Sequence, residues 1–389
     1  MKTDKKEKKQ KVDVNPVEEE QLNIPDDEVW TYHIEGLAAP QIGKKYTHYT
    51  LKKIVFIVLV VVAVSLSMFF SIRTVQQDTL DYEPVANNSY ELMKFSNTGF
   101  IKEIDVDYVL SMEYDKTNND PNTNFSFVKD KTKPVTVIHE YAFNCDEKLE
   151  IIRIGADVTK IDGKSFYTCR NLKQIIVDDN NPAYCDIDGV LYTKDMKEII
   201  CYPINHDAYL ATKNGYKTEI LPEDKKYEEY KKDVLTYVLP SSVEKIGKLC
   251  FNYSTLTDVY MPQGVKTIET LAFFRSEQLE NVYSYKSTTD DAYKSLPEGL
   301  EYIGSDAFSY DQALTYVYIP SSVTFIGHHA FWDTVYKEDG ELYGVASIDV
   351  AAGEKAFEEK VHCGDQWKPQ YDSGLFKKNI DVNFNSNRK

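Results

Sequence analysis

The sequence predicts a repeat solenoid, β-rich with short helical or turn returns, preceded by a single transmembrane helix. Three observations predict it. "LPSSVEKIGKLCF" (239–251) and "IPSSVTFIGHHAF" (319–331) are nearly one phrase, and adjacent copies of that phrase start 22 or 23 residues apart. "LTYVYIP" (314–320) alternates with the period of two expected of a strand. The 19 residues from Ile54 to Ile72 carry no charge.

Residues 1–53 hold ten Lys and ten Asp/Glu in alternating blocks and read as a largely disordered cytoplasmic tail. Residues 54–72, beginning "IVFIVLVVVAVSLSMFF", are the transmembrane helix. About 20 residues rising about 1.5 Å each cross a bilayer core of about 30 Å. A soluble core helix needs a polar face, which this run lacks. Cleavage as a signal peptide is the competing reading. The 53 preceding residues far exceed an ordinary n-region, and no small-x-small site follows. Lys44, Lys45, Lys52 and Lys53 precede the span, and only Arg73 follows closely. The expected protein is therefore single-pass in the cell membrane, N-terminus cytoplasmic, with the rest extracellular. The residues after Arg73 hold 34 basic and 52 acidic side chains, a net of −18. So acidic a surface excludes a general nucleic-acid footprint.

Residues 73–133 read as an extracellular juxtamembrane region or N-terminal cap. "GFIKEIDVDYVL" is expected to give a strand pair or an edge strand, and "YDKTNNDPNTNFS" a loop. The repeat domain spans 134–385. Each copy shows an apolar residue, Ile three later, Phe eight later and Leu five or six beyond. Val135, Ile138, Phe143 and Leu149 fit, as do the sets beginning at Val158, Val243, Val265 and Leu300; Val323, Ile326 and Phe331 begin a sixth. One such unit cannot enclose a core, so neighbours must cover it. In "LTYVYIP", Leu314, Val317 and Ile319 are expected inward, and Tyr316 and Tyr318 outward.

These phrases resemble the BspA-like leucine-rich repeat family of cell-surface proteins. "NPAYCDIDGVLYTKDMKEIICYP" (181–203) is similar to that family's inserted hairpin. "SIDVAAGEKAFEEK", Trp367 and "NIDVNF" are similar to its closing strand, helix and last strand. The resemblance covers about 134–385 and implies a leucine-rich repeat scaffold used for adhesion or recognition, without naming a ligand. The chain departs from the family pattern in a polar insertion, giving a hairpin-plus-insertion segment at 178–235, and in an N-terminal rather than C-terminal anchor.

No nucleophile elbow, HExxH motif or paired-cysteine zinc spacing is present, so neither an enzyme nor a metal or cofactor is expected. "CDIDG" (185–189) reads as a hairpin-entry turn rather than a calcium loop. Cys169 and Cys250 read as buried thiols. Cys185 and Cys201 flank the hairpin, where opposed positions can bridge or stay reduced. His328 and His329 read as filling variable slots of a coil corner, and the pair His362–Cys363 as incidental, rather than as metal ligands.

The most informative surface feature is the outward face of the strands. Four residues after each strand's Leu stand Arg153, Ile176, Tyr260, Tyr283 and Tyr318; two after it stand Asp258 and Tyr316 among others. Tyr260, Tyr283, Tyr316 and Tyr318, with Asp258 and Arg153, form the candidate ligand-binding set, because Tyr offers large contact area at low entropy cost. A role in stabilising the sheet is the alternative for these rings. The expected partner is an extracellular protein or glycan. A scaffold component of an envelope complex and a surface receptor are the alternative functions.

Overall fold

The computed structural model describes residues 80–97, 101–114, 125–144, 146–216, 220–338, 341–344, 347–372, 377–379 and 381–387. The chain divides into two compact units, Met1–Met68 and Phe69–Lys389, and every described residue belongs to the second. The expected tail and the helix over 54–72 lie outside the described residues. Among the described residues no helix is long and apolar enough to cross a membrane.

While the first two repeats pair Phe125–Ile138 with Lys160–Ile161 in a separate sheet, one long sheet runs along the coils from Tyr184 to the C-terminal end. From one end its strands are His362–Cys363, Phe325–Ile326, Tyr302–Ile303, Thr267–Ile268, Lys245–Ile246, Glu198–Cys201, Val190–Thr193 and Tyr184–Ile187. Pairing is parallel from His362–Cys363 to Glu198–Cys201, as one coil stacks on the next. The opposite side of the coils carries three separate three-stranded parallel sheets. They are Glu103–Val106 with Ile151–Ile154 and Gln174–Val177; Thr236–Val238 with Asp258–Pro262 and Asn281–Tyr285; and Val317–Ile319 with Ser347–Val350 and Asp381–Phe384.

The repeated Phe is the spine between these two sides. Phe251 and Phe273 stack at 4.8 Å, Phe273 and Phe308 at 5.0 Å, and Phe308 and Phe331 at 5.2 Å between ring centroids, all within 6° of parallel. The position before each Phe must be small, because the next coil lies against it. Ala142, Ser165, Cys250, Ala272, Ala307 and Ala330 fill it and are fully buried. Gly327 follows the Ile for a similar reason: a Cβ there would lie 2.3 Å from the backbone nitrogen of Ser305. The residue two before the Phe takes a left-handed backbone in most coils, at Tyr141, Leu249, Leu271, Asp306 and His329.

Two expectations change. First, the stack begins before residue 134. Ser89–Phe95 pairs parallel with Phe125–Ile138, Glu103–Val106 pairs parallel with Ile151–Ile154, and Phe95 packs on Phe143 at 5.9 Å. The supposed cap is thus a degenerate first coil, hidden because its spacing is interrupted by the hairpin of Tyr108–Tyr114 with Phe125–Ile138. Second, the segment before the insertion is a three-stranded meander. Val190–Thr193 lies between the strands bearing Cys185 and Cys201, with Tyr192 opposite Cys185 and Leu191 opposite Cys201. Adjacent residues face opposite sides of a sheet, so the two thiols point apart, and both are free. Beyond these, Tyr202 takes a spine position that the repeat spacing did not show. Its backbone N–H donates to Cys250 O at 2.9 Å, and its ring packs on Phe251 at 5.4 Å.

The insertion folds as two short helices, His206–Lys213 and Tyr227–Val234, around a small core of Tyr230, Val234 and Leu235. The closing strand Ser347–Val350, helix Glu354–Lys360 and last strand Asp381–Phe384 stand as expected.

Candidate binding face

The strands Thr236–Val238, Asp258–Pro262 and Asn281–Tyr285 pair in register, so Val238, Tyr260 and Tyr283 form one row across the sheet. Their neighbours Val259 and Val282 are buried, which turns the row outward by the period of two. Tyr260 and Tyr283 are half-buried, and their rings stack at 4.5 Å and 15°. Val238 is 45 % exposed, and Tyr293, held to Ser284 by two backbone hydrogen bonds, is 47 % exposed. Burial, reinforced by the Asp258 carboxylate, raises both stacked phenols above their ordinary pKa, so each is an O–H donor at neutral pH.

One end of the row is charged. Lys231, on the helix Tyr227–Val234, reaches Asp258 Oδ2 at 3.1 Å and Glu280 Oε2 at 2.6 Å. Burial alone would lower the ammonium pKa, but the two carboxylate hydrogen bonds outweigh it and hold Lys231 above its usual value. Asp258 also accepts hydrogen bonds from Asn281 Nδ2 at 2.6 Å and Thr257 Oγ1 at 2.9 Å. It is therefore a structural anchor for the insertion rather than a group open to a ligand.

The predicted set divides. Tyr260 and Tyr283 come together as expected. Tyr316 and Tyr318 are only 8 % and 6 % exposed; Tyr318 lies in another sheet and Tyr316 just before its strand. The Tyr316 hydroxyl donates to Asp349 Oδ2 at 3.0 Å, and that of Tyr318 to Ser386 O at 3.3 Å. Both do turn away from Val317, as the alternation requires, but the closing part of the chain covers them. The segment from Tyr285 to Lys294 bulges out on this side and separates the sheets, while the opposite sheet runs unbroken from Thr267–Ile268 to Tyr302–Ile303. Arg153 lies in the first of the three sheets, paired with Glu103 and 3.9 Å from Asp105 Oδ1, and does not join the tyrosines.

Val238 and Lys231 were missed by sequence reasoning. Val238 falls four residues after no recognisable repeat Leu, and Lys231 is brought in by the insertion. The long sheet also carries an aromatic ladder of its own: Tyr302 and Phe325 stack at 4.7 Å, and Phe325 and His362 at 5.5 Å. Its signal was the residue before each repeat Ile, which is aromatic in adjacent copies. His328 Nδ1 accepts from Asp365 N at 3.0 Å, and His329 Nε2 meets Gln366 Oε1 at 2.9 Å, so the adjacent histidines serve the coil corner. Among the described residues no group of three or more His, Cys, Asp or Glu side chains could hold a metal ion.

The sequence matches the family described as BspA type leucine-rich repeat region in six copies, over residues 121–187 and 229–338. The chain carries a BspA-type leucine-rich repeat region. The gap in the BspA-type match, between 187 and 229, falls where the structure places the last strands of the meander and the insertion helices. Similar solved structures include a leucine-rich repeat protein from Eubacterium ventriosum, 18% identical over 57% of this chain and 49% of that one, with a TM-score of 0.37. This chain thus spans about half the length of that protein. The pneumococcal vaccine antigen PcpA is 13% identical over 80% of this chain and 98% of that one, with a TM-score of 0.34. A leucine rich cell surface protein from Faecalibacterium prausnitzii is 16% identical over 74% and 93%, with a TM-score of 0.25. No curated protein matches the sequence.

Proposed function

We propose that this chain is a membrane-anchored, outward-facing BspA-type repeat protein that binds a protein or glycan partner at the cell surface and catalyses no reaction. The observation that carries the binding reading is the row Val238–Tyr260–Tyr283, two stacked half-buried phenols beside an exposed valine. Large rings held rigidly by their neighbours lose little entropy on contact and offer both apolar area and a hydroxyl donor. The uncharged run 54–72, with four lysines before it and Arg73 after, supports the anchor and its orientation.

Cells displaying the full chain test both parts. Protease added to intact cells should remove the repeats and spare the first 50 or so residues. Partners captured by the full chain in detergent should be lost when Tyr260 and Tyr283 are both replaced by serine. Protected repeats would overturn the orientation, and unchanged capture by the folded double variant would move the binding face elsewhere.

A further inference from the structure

A second surface lies at the coil corner that follows the spine, away from the row just described. Tyr253, Phe274, Arg275 and Tyr310 come from three successive coils, each one or two residues after its spine Phe, and all are half-buried. Phe274 meets Tyr253 edge-on at 6.2 Å and Tyr310 edge-on at 5.6 Å. The Arg275 guanidinium sits 4.7 Å from the Tyr310 ring centre and 5.9 Å from that of Tyr253. Arg170, from the coil preceding the insertion, sits 5.1 Å from the same Tyr253 ring. The corner therefore stays continuous across the insertion that interrupts the strand face.

Two guanidinium groups against one ring concentrate like charge at the corner. The only carboxylate within ion-pair distance of Arg275 among the described residues is Glu277, at 3.9 Å, and Arg170 has none. Asp333 feels the Arg275 charge from beyond that distance, against a larger effect of burial that raises its carboxyl pKa. An incoming carboxylate can be held by the fork of either arginine, which matches its planar geometry. The half-buried rings of Tyr253, Phe274 and Tyr310 hold the two guanidinium groups in place by cation–π contact.

The backbone decides against an extended peptide as the occupant. Tyr253 N donates to Phe274 O at 3.0 Å, Arg275 N to Ser309 O at 3.0 Å, and Tyr310 N to Trp332 O at 2.8 Å. With these donors committed between coils, the corner offers no such N–H groups for strand addition. Two cations on a chain of net charge −17 are too few for a nucleic-acid backbone. We propose that this corner binds an acidic glycan, a short chain of carboxylated sugars whose carboxylates meet the Arg170 and Arg275 guanidinium groups stacked on Tyr253 and Tyr310.

The test titrates the full chain in detergent with trigalacturonate, with its methyl ester and with a short poly-glutamate peptide. Trigalacturonate should bind, and neither of the others should match it. Arg170→Gln should weaken that binding at least about tenfold, since charge-assisted forked hydrogen bonds are among the stronger polar contacts. Arg170 is exposed and touches only the Tyr253 ring among the contacts described, so this variant should keep the wild-type melting temperature. Arg275→Lys should weaken binding by less than Arg275→Gln. The proposal is overturned if the wild type ignores trigalacturonate, if the methyl ester binds as tightly, or if Arg170→Gln leaves affinity unchanged. Poly-glutamate binding with the same arginine dependence would make this an acidic-peptide site and overturn the glycan assignment. None of these outcomes depends on Tyr260 or Tyr283, so the row on the strand face stands or falls separately.

Discussion

Lys231 Nζ stands 3.1 Å from Asp258 Oδ2, joining the second insertion helix to the middle strand of the face that carries Tyr260. Both side chains are largely withdrawn from water, at 19 % and 9 % exposure. An uncompensated charge in such a place is costly. Asp258→Ala should cost about 3 kcal/mol, the low end for a broken buried pair because Lys231 keeps Glu280. Chemical denaturation is the measurement, and a cost no larger than that of Lys232→Ala, whose side chain is exposed, would show that the pair does not anchor the helix.

The spine and the histidine corner should respond oppositely to substitution. Phe308 is stacked on both sides, by Phe273 and Phe331, and is fully buried. Phe308→Ala should cost about 3 to 5 kcal/mol. His329 has φ 53, a left-handed backbone where a Cβ is disfavoured. His329→Gly should therefore leave stability near wild type, whereas His329→Val should cost about 1 to 2 kcal/mol more than the glycine variant. Thermal melts of the three variants decide it; a valine variant as stable as the glycine variant would contradict the backbone argument.

Asp311 gives the array a pH signature. It is fully buried, its Oδ1 accepts from Ser276 N at 2.9 Å, and its Oδ2 has no hydrogen-bond partner among the described residues. Burial raises its carboxyl well above the ordinary range, with the Ser276 hydrogen bond opposing. The folded state therefore holds the proton more tightly than the unfolded chain does. That stabilisation is fully present below the unfolded pKa of about 4 and is lost as pH rises toward the raised folded value. Asp311→Asn cannot titrate and keeps an oxygen for Ser276. The stability difference between wild type and variant should shift in favour of the variant from about pH 4 to neutrality. Parallel stability-against-pH curves would remove Asp311 as the cause.

Burial separates the four tyrosines once grouped together. Tyr318→Ser removes a buried ring and its hydrogen bond to Ser386, and should cost about 3 kcal/mol. Tyr260→Ser with Tyr283→Ser removes an aromatic pair from an open face and should cost about 1 kcal/mol. Urea titration compares them. Equal costs would mean that the stacked pair is as much a part of the core as Tyr318 is.

Much of the scaffold was legible because it repeats. The spacing of Val243, Ile246, Phe251 and Leu256 recurs at Val265, Ile268, Phe273 and Leu279, and all eight are fully buried. Cys169 and Cys250 were legible as buried thiols, and both are fully buried. Tyr202 and the coil around Leu92 and Phe95 were not, because a changed residue or an interrupted spacing hides the period although the stacking survives.

The sequence by itself determined the stacking, the interior residues and the outward turn of Tyr260 and Tyr283. Period two also turned Tyr316 and Tyr318 outward, and Val317 and Ile319 are indeed buried on the other side. Only the tertiary structure decided what lies over that face. Asp349 and Ser386 come from 33 and 68 residues away to cover Tyr316 and Tyr318. Helix Tyr227–Val234 turns Asp258 from a ligand group into an anchor, and Arg170 reaches Tyr253 across the insertion. A periodic pattern fixes which side of a strand a residue takes, because that depends on local backbone geometry. Exposure depends on distant segments folding across that side, and such segments have no fixed spacing to read.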